Sequence, residues 1–172
     1  MLRWLGGIMI LLGSLGLGLW YREQFQDRLK LLRKLSGILE MLISEVRYGK
    51  ATLPEGCRSA GRQAGPPFSV PLQKIYEKMQ ENTGDAFGDV FCSCMKEAME
   101  TMPLTKQDRE IFLRFAAKNS FAEEAMQVKW MEQSRDMLDR TILLLEEKME
   151  DKCRIAVGLG AMSGLLLIII LL

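Results

Sequence analysis

Cys92 and Cys94, with Ser93 between them, form the closest thiol pair in the chain, and paired thiolates are what a zinc or redox centre would require. On a helix two such side chains point about 200° apart, so they read as free helical thiols rather than as a ligand pair. With Cys57 and Cys153 they fall short of the density of a disulfide scaffold and suit a reducing compartment. Histidine is absent, which removes the commonest general base, metal ligand and triad partner. No phosphate-cradling glycine loop occurs; the glycines sit in apolar runs, turns and caps. No catalytic, metal-binding or cofactor-binding residue is therefore assigned, and the chain is expected to be a non-enzyme without a cofactor.

The remaining charged groups point to contacts rather than to reactions. Glu123 and Glu124 complement a helix N-terminus. Arg58 and Arg62, four positions apart with Lys50 nearby, form either a small basic face for an acidic partner or two solvated arginines. Twelve methionines, among them Met95, Met99 and Met102, supply adaptable apolar packing in a core or at a protein interface.

Such a surface must be held by the elements around it, and the distribution of charge marks these out. Residues 4–21 and 155–172 carry no charge, so apart from Arg3 every charged residue lies between Arg22 and Arg154. Each uncharged run, as α-helix, spans about 27 Å and covers the hydrocarbon of a bilayer. The expected organisation is a transmembrane helix at 4–21, an all-α helical bundle at 22–154 and a second transmembrane helix at 155–172. Trp20 and Tyr21 before Arg22 suit an interfacial belt, and no small-residue cleavage site follows the first run, so a retained anchor is expected over a signal peptide. Arg22, Arg28, Lys30, Arg33 and Lys34 follow the first run and Lys148, Lys152 and Arg154 precede the second. The positive-inside rule then predicts an integral protein of the cell membrane with its interior domain in the cytoplasm. Acid and base balance in that interior, which argues against a nucleic-acid footprint.

Within the interior, Leu32, Leu35, Leu39, Leu42 and Val46, widened by Leu31, Ile38 and Ile43, recur in threes and fours and predict an amphipathic helix over 26–48. Gly49 is its expected C-terminal cap. Thr52-Leu53-Pro54-Glu55 reads as a capping box opening a second helix, and Gly65-Pro66-Pro67 ends it. A third helix is predicted from about Val70 to Glu81, with Leu72, Ile75, Tyr76 and Met79 on one face. Asp85 is the expected N-cap of a fourth helix through Met99. Thr105-Lys106-Gln107-Asp108 starts a fifth, with Ile111, Phe112 and Phe115 as its apolar face. Ser120-Phe121-Ala122-Glu123 is a capping box for a last helix running to Leu172. In it, Met131, Leu138, Ile142, Leu145 and Met149 match the seam of the first helix. The two are predicted to pack antiparallel as a stalk that carries both spans as a hairpin pair. Arg135, Asp136, Asp139, Arg140, Glu146, Glu147 and Glu150 are expected on its other faces as solvated charge.

These features together resemble the stage III sporulation protein AB family of endospore-forming bacteria. The resemblance covers nearly the whole chain. It is carried by the N-terminal span, by Leu42-Ile43-Ser44-Glu45-Val46-Arg47-Tyr48-Gly49 followed by Leu53 and Glu55, by Leu104 with Phe115, by Gln127, and by Gly158, Gly160 and Gly164 in the apolar terminal span. Asn119-Ser120 stands where the family pattern has a Leu-Gly pair, although the capping box there keeps the helix start. The resemblance implies a part in the channel-like, secretion-like apparatus joining mother cell and forespore, with the domain on the mother-cell side. Members of that family look like a reduced form of the platform proteins of type II secretion (the F component) and type IV pili, whose helical domains engage an assembly ATPase. The segment Leu39 to Ala60 is similar to their first helix, glycine turn and second helix.

The resulting expectation is a non-catalytic membrane scaffold of the sporulation channel that docks a cognate cytoplasmic ATPase and other channel proteins. Self-association into a homo-oligomer is left open. The candidate partner-binding residues are Glu45, Tyr48, Leu53, Glu55, Arg58 and Arg62, which cluster around one turn; structural reasons for Tyr48, Leu53 and Glu55 stand beside that reading. Two alternatives remain: a small membrane-anchored enzyme using carboxylates or lysine, and a membrane signalling adaptor that changes oligomeric state.

Overall fold

The computed structural model describes the backbone of residues 26–81, 84–117 and 124–171, and the side chains of these except 124 and 150–171. Among the described residues the fold is all-α, with six helices and no strand. The chain divides into two compact units, one of residues 30–142 and one of 1–29 with 143–172. Of the second unit, the helical backbone at 26–29 and 143–171 is described. Among the described residues no helix is long and apolar enough to cross a membrane. The apolar run at 4–21 lies outside them, and the run at 155–172 enters only as helical backbone up to 171.

Helix α1 covers residues 26–47 and buries the stripe its periodicity predicts, with Leu32, Leu35, Ile38, Leu39 and Leu42 fully enclosed. The cap that ends it differs from the expected one. Lys50, not Gly49, takes the left-handed conformation, with φ 47°. Gly49 is needed because a Cβ there would stand 2.7 Å from the Glu45 carbonyl oxygen.

Helix α2, Leu53–Ala64, opens with the predicted box: Thr52 and Glu55 cap each other reciprocally, and proline sits in the first turn. Gly65 closes it at φ 63° and ψ −173°, a region only glycine enters readily. Helix α3, Ser69–Gln80, starts one residue earlier than predicted and buries Pro71, Leu72 and Ile75. Tyr76 and Met79, expected on that face, are half-buried at its margin.

Helix α4 is Phe87–Met99, and its N-cap is Ala86 with no side-chain hydrogen bond, so Asp85 does not hold the capping position. Helix α5, Lys106–Ala117, is capped as expected. The Thr105 hydroxyl accepts from the Asp108 N–H at 3.2 Å, and the Asp108 carboxylate accepts from the Thr105 N–H at 2.9 Å. Helix α6 runs Glu124–Leu171 over 48 residues. The capping box expected at 120–123 lies outside the described residues.

Packing runs in chain order, α2 on α3, α3 on α4 and α4 on α5. Gly88 lets α4 approach the backbone carbonyl of Ala116 in α5 more closely than any side chain would allow. Behind that approach Phe91 meets Phe115 edge to face at 5.0 Å, and lies 5.5 Å from Phe87 and 5.8 Å from Phe112. Such aromatic pairs contribute about 0.5–1.5 kcal/mol each beyond the area they bury. Within the unit of 30–142, α1 and α6 run antiparallel. The Ser36 hydroxyl donates to Asp139 at 2.6 Å, and Arg47 donates to Glu132 at 2.6 Å. Asp139, expected as solvated charge, is thus an inter-helix acceptor, and Arg135 lies 3.9 Å from it on the same helix. Met131, Leu138, Ile142 and Leu145 of the predicted seam are buried, while Met149 is half-buried.

Candidate partner-binding surface

The end of α1, the turn after it and α2 hold all six candidate residues. The two helices come close because Gly56 has no side chain: a Cβ there would meet the Leu42 Cδ2 atom at 3.2 Å. That approach brings the Ser59 hydroxyl to Glu45, to which it donates at 2.5 Å. Half-buried Glu45 therefore ties α1 to α2. Leu53 is buried in the core. Glu55 accepts from the Thr52 N–H at 2.9 Å and the Thr52 hydroxyl at 2.8 Å, and these bonds, the backbone one foremost, hold its carboxyl below the usual glutamate range.

Three candidates remain at the surface, and two of them also have partners inside the chain, Tyr48 a hydrogen bond with Arg47 and Arg58 the ring of Tyr76. Tyr48 is 77% exposed, unusual for a large aromatic side chain. Arg58 and Arg62 stand one helical turn apart on the outward side of α2, opposite buried Cys57, Ala60 and Gly61. Arg58 is preorganised: its guanidinium lies 4.9 Å from the centre of the Tyr76 ring and donates to the Tyr76 hydroxyl at 3.3 Å. An arginine stacked on an aromatic face keeps its remaining donors aimed outward and loses little freedom on meeting a carboxylate.

Two features had no signal in the sequence. Tyr76 reads as one position of an apolar stripe, and only the packing of α3 on α2 makes it a platform for Arg58. The Arg47–Glu132 pair joins residues 85 positions apart, and Glu132 holds the Arg47 guanidinium above its ordinary value. The pair forms one wall of a groove of about 330 Å³ lined also by Val46, Ala125 and Val128.

The thiols lie apart from this surface. Cys57 and Cys94 are buried and Cys92 is half-buried, all three unpaired, and burial raises the thiols of Cys57 and Cys92. Among the described residues no group of three Cys, Asp or Glu side chains is placed to hold a metal ion.

Comparison with known proteins adds a lineage to this geometry. The stage III sporulation protein AB of Bacillus subtilis (strain 168) is 22% identical over 172 residues, spanning all of both chains. A solved structure of a stage III sporulation protein AB superposes with a TM-score of 0.65 at 18% identity, over 73% of this chain and 98% of that one, and so shares the helical fold. The family model described as stage III sporulation protein AB matches residues 3–172. A match over nearly the full length, on a bundle of the same fold, means that the chain belongs to the stage III sporulation protein AB family.

Proposed function

We propose that the chain is a non-catalytic membrane platform of the sporulation channel, anchored by helices at 4–21 and 155–172, whose cytoplasmic domain docks a cognate assembly ATPase on the mother-cell side. Membership of the family supports a part in the channel. The two uncharged runs and the basic residues that flank them on their inner sides support the anchors and the orientation. The observation that carries the docking role is the exposed Tyr48 at the turn between α1 and α2. A large aromatic ring displayed to solvent beside well-packed helices is the kind of residue that dominates protein interfaces.

The test is capture of the purified sporulation ATPase by the full-length chain in nanodiscs. The wild-type chain should bind the ATPase and hydrolyse no ATP by itself. Tyr48→Ala should weaken capture by about tenfold or more, the loss expected of an interface anchor. Binding that ignores the substitution would remove Tyr48 from the contact, and failure of the wild-type chain to bind would remove the docking role.

A further inference from the structure

Charge is sorted by hairpin in this domain. Residues 50–80, which hold α2 and α3, carry five basic and two acidic side chains, whereas residues 81–105, which hold α4, carry five acidic and one basic. The basic surplus surfaces on the outward side of α2 as Arg58 and Arg62, the former over the Tyr76 ring. The acidic surplus surfaces on the outward side of α4 as Asp89, Glu97 and Glu100, exposed at helical spacing with Lys96 at their edge.

The two stripes of one chain are kept apart. Helix α3 packs between α2 and α4, and its Lys74 reaches Glu97 at 3.3 Å as an exposed pair. The spacing nevertheless matches: side chains three or four positions apart on a helix lie about 5–6 Å from each other, so two guanidinium groups on α2 register with two carboxylates on α4 of a neighbour. Val70, 74% exposed in the first turn of α3, adds an apolar group to the surface of the α2–α3 pair.

We propose that the outward side of α2 is a self-assembly surface whose occupant is the acidic side of α4 in a second copy of this chain. Because the two sides differ, the contact is head-to-tail and adds copies until a ring closes or a filament grows. It stands on the surface chemistry and not on ATPase docking through Tyr48, which is scored separately on the same samples.

The experiment is sedimentation of the full-length chain in nanodiscs or detergent micelles. Wild-type self-association should weaken by about tenfold or more between roughly 50 mM and 500 mM salt, as expected of exposed charges. The pair Arg58→Glu with Arg62→Glu should lose association by about 100-fold or more, and so should Glu97→Arg with Glu100→Arg, since each sets like charges face to face. An equimolar mixture of the two variants restores both complementary contacts and should recover association to within about tenfold of wild type, a result that also shows both variants to be folded. Association that is absent or indifferent to salt in the wild type, unchanged by either reversal, or not recovered in the mixture of two chains with intact helical circular dichroism overturns the proposal.

Discussion

Alanine at Gly37 and at Gly88 should move the stability of the domain in opposite directions. Gly37 lies inside α1, and a Cβ added there meets nothing within 4 Å. The substitution removes only the conformational freedom glycine has in the unfolded chain, a gain of about 0.5–1 kcal/mol. Gly88 lies at the start of α4, where the same Cβ would overlap the Ala116 carbonyl. A backbone oxygen cannot rotate away as a side chain can, so α4 must move away from the last turn of α5. That separation loosens the contacts of Phe91 with Phe112 and Phe115 and costs about 1–3 kcal/mol, more than the propensity gain at a helix end returns. Guanidinium titration of the full-length chain in detergent, followed by circular dichroism, reads both. The midpoint should rise for Gly37→Ala and fall for Gly88→Ala, with thermal midpoints shifting by roughly 4 °C per kcal/mol. A neutral or stabilising Gly88→Ala would mean that α4 and α5 do not approach as closely as described and that the aromatic cluster does not depend on that glycine.

Phe91→Ala should destabilise the domain by about 3–5 kcal/mol, with Phe91→Leu losing clearly less, because leucine keeps most of the volume and gives up only the ring contacts; the same titration separates them. Thr52→Ala should cost about 1 kcal/mol by removing an N-cap. In the wild type the lowered Glu55 carboxyl contributes stability that is present above the ordinary glutamate value of 4.5 and lost as the pH falls through its lower folded value, so the acid limb of the stability curve should flatten in Glu55→Gln. A thiol reagent applied to the native protein should modify Cys92 ahead of Cys57 and Cys94, slowly and faster as the pH rises, since burial raises the Cys92 thiol; equal rates at all three, followed by mass spectrometry, would contradict the burial pattern.

The helices were legible wherever a local rule set them. The stripe from Leu32 to Val46, the Thr52–Glu55 box and the Thr105–Asp108 pair all operate within a few residues. The antiparallel match of α1 and α6 was legible as well, because two long stripes with the same spacing have little else to pack on. The departures arose where tertiary contact overrode a local preference. Asp85 has the chemistry of a cap, yet the turn places Ala86 in that position; Gly49 serves by close approach while Lys50 carries the left-handed backbone. At the candidate surface, residue type separated polar from apolar but could not show that Glu45 links α1 to α2 and that Glu55, exposed like Arg58 and Arg62, is taken up in a helix cap. Nothing near Arg47 in the chain announces Glu132, and nothing near Arg58 announces Tyr76.

The clasp between α1 and α6 sets an order for biosynthesis. Ser36 and Asp139 are 103 positions apart, and Arg47 and Glu132 are 85 apart. A ribosome therefore releases the leucine-rich side of α1 long before the residues that cover it emerge, and at about 5–20 residues per second that interval lasts several seconds or more. During it the nascent chain shows an oily helix to the cell, and a product cut short before Asp139 would keep showing it. Such fragments should be held by chaperones or cleared by proteases, leaving chains that have received their last helix to accumulate.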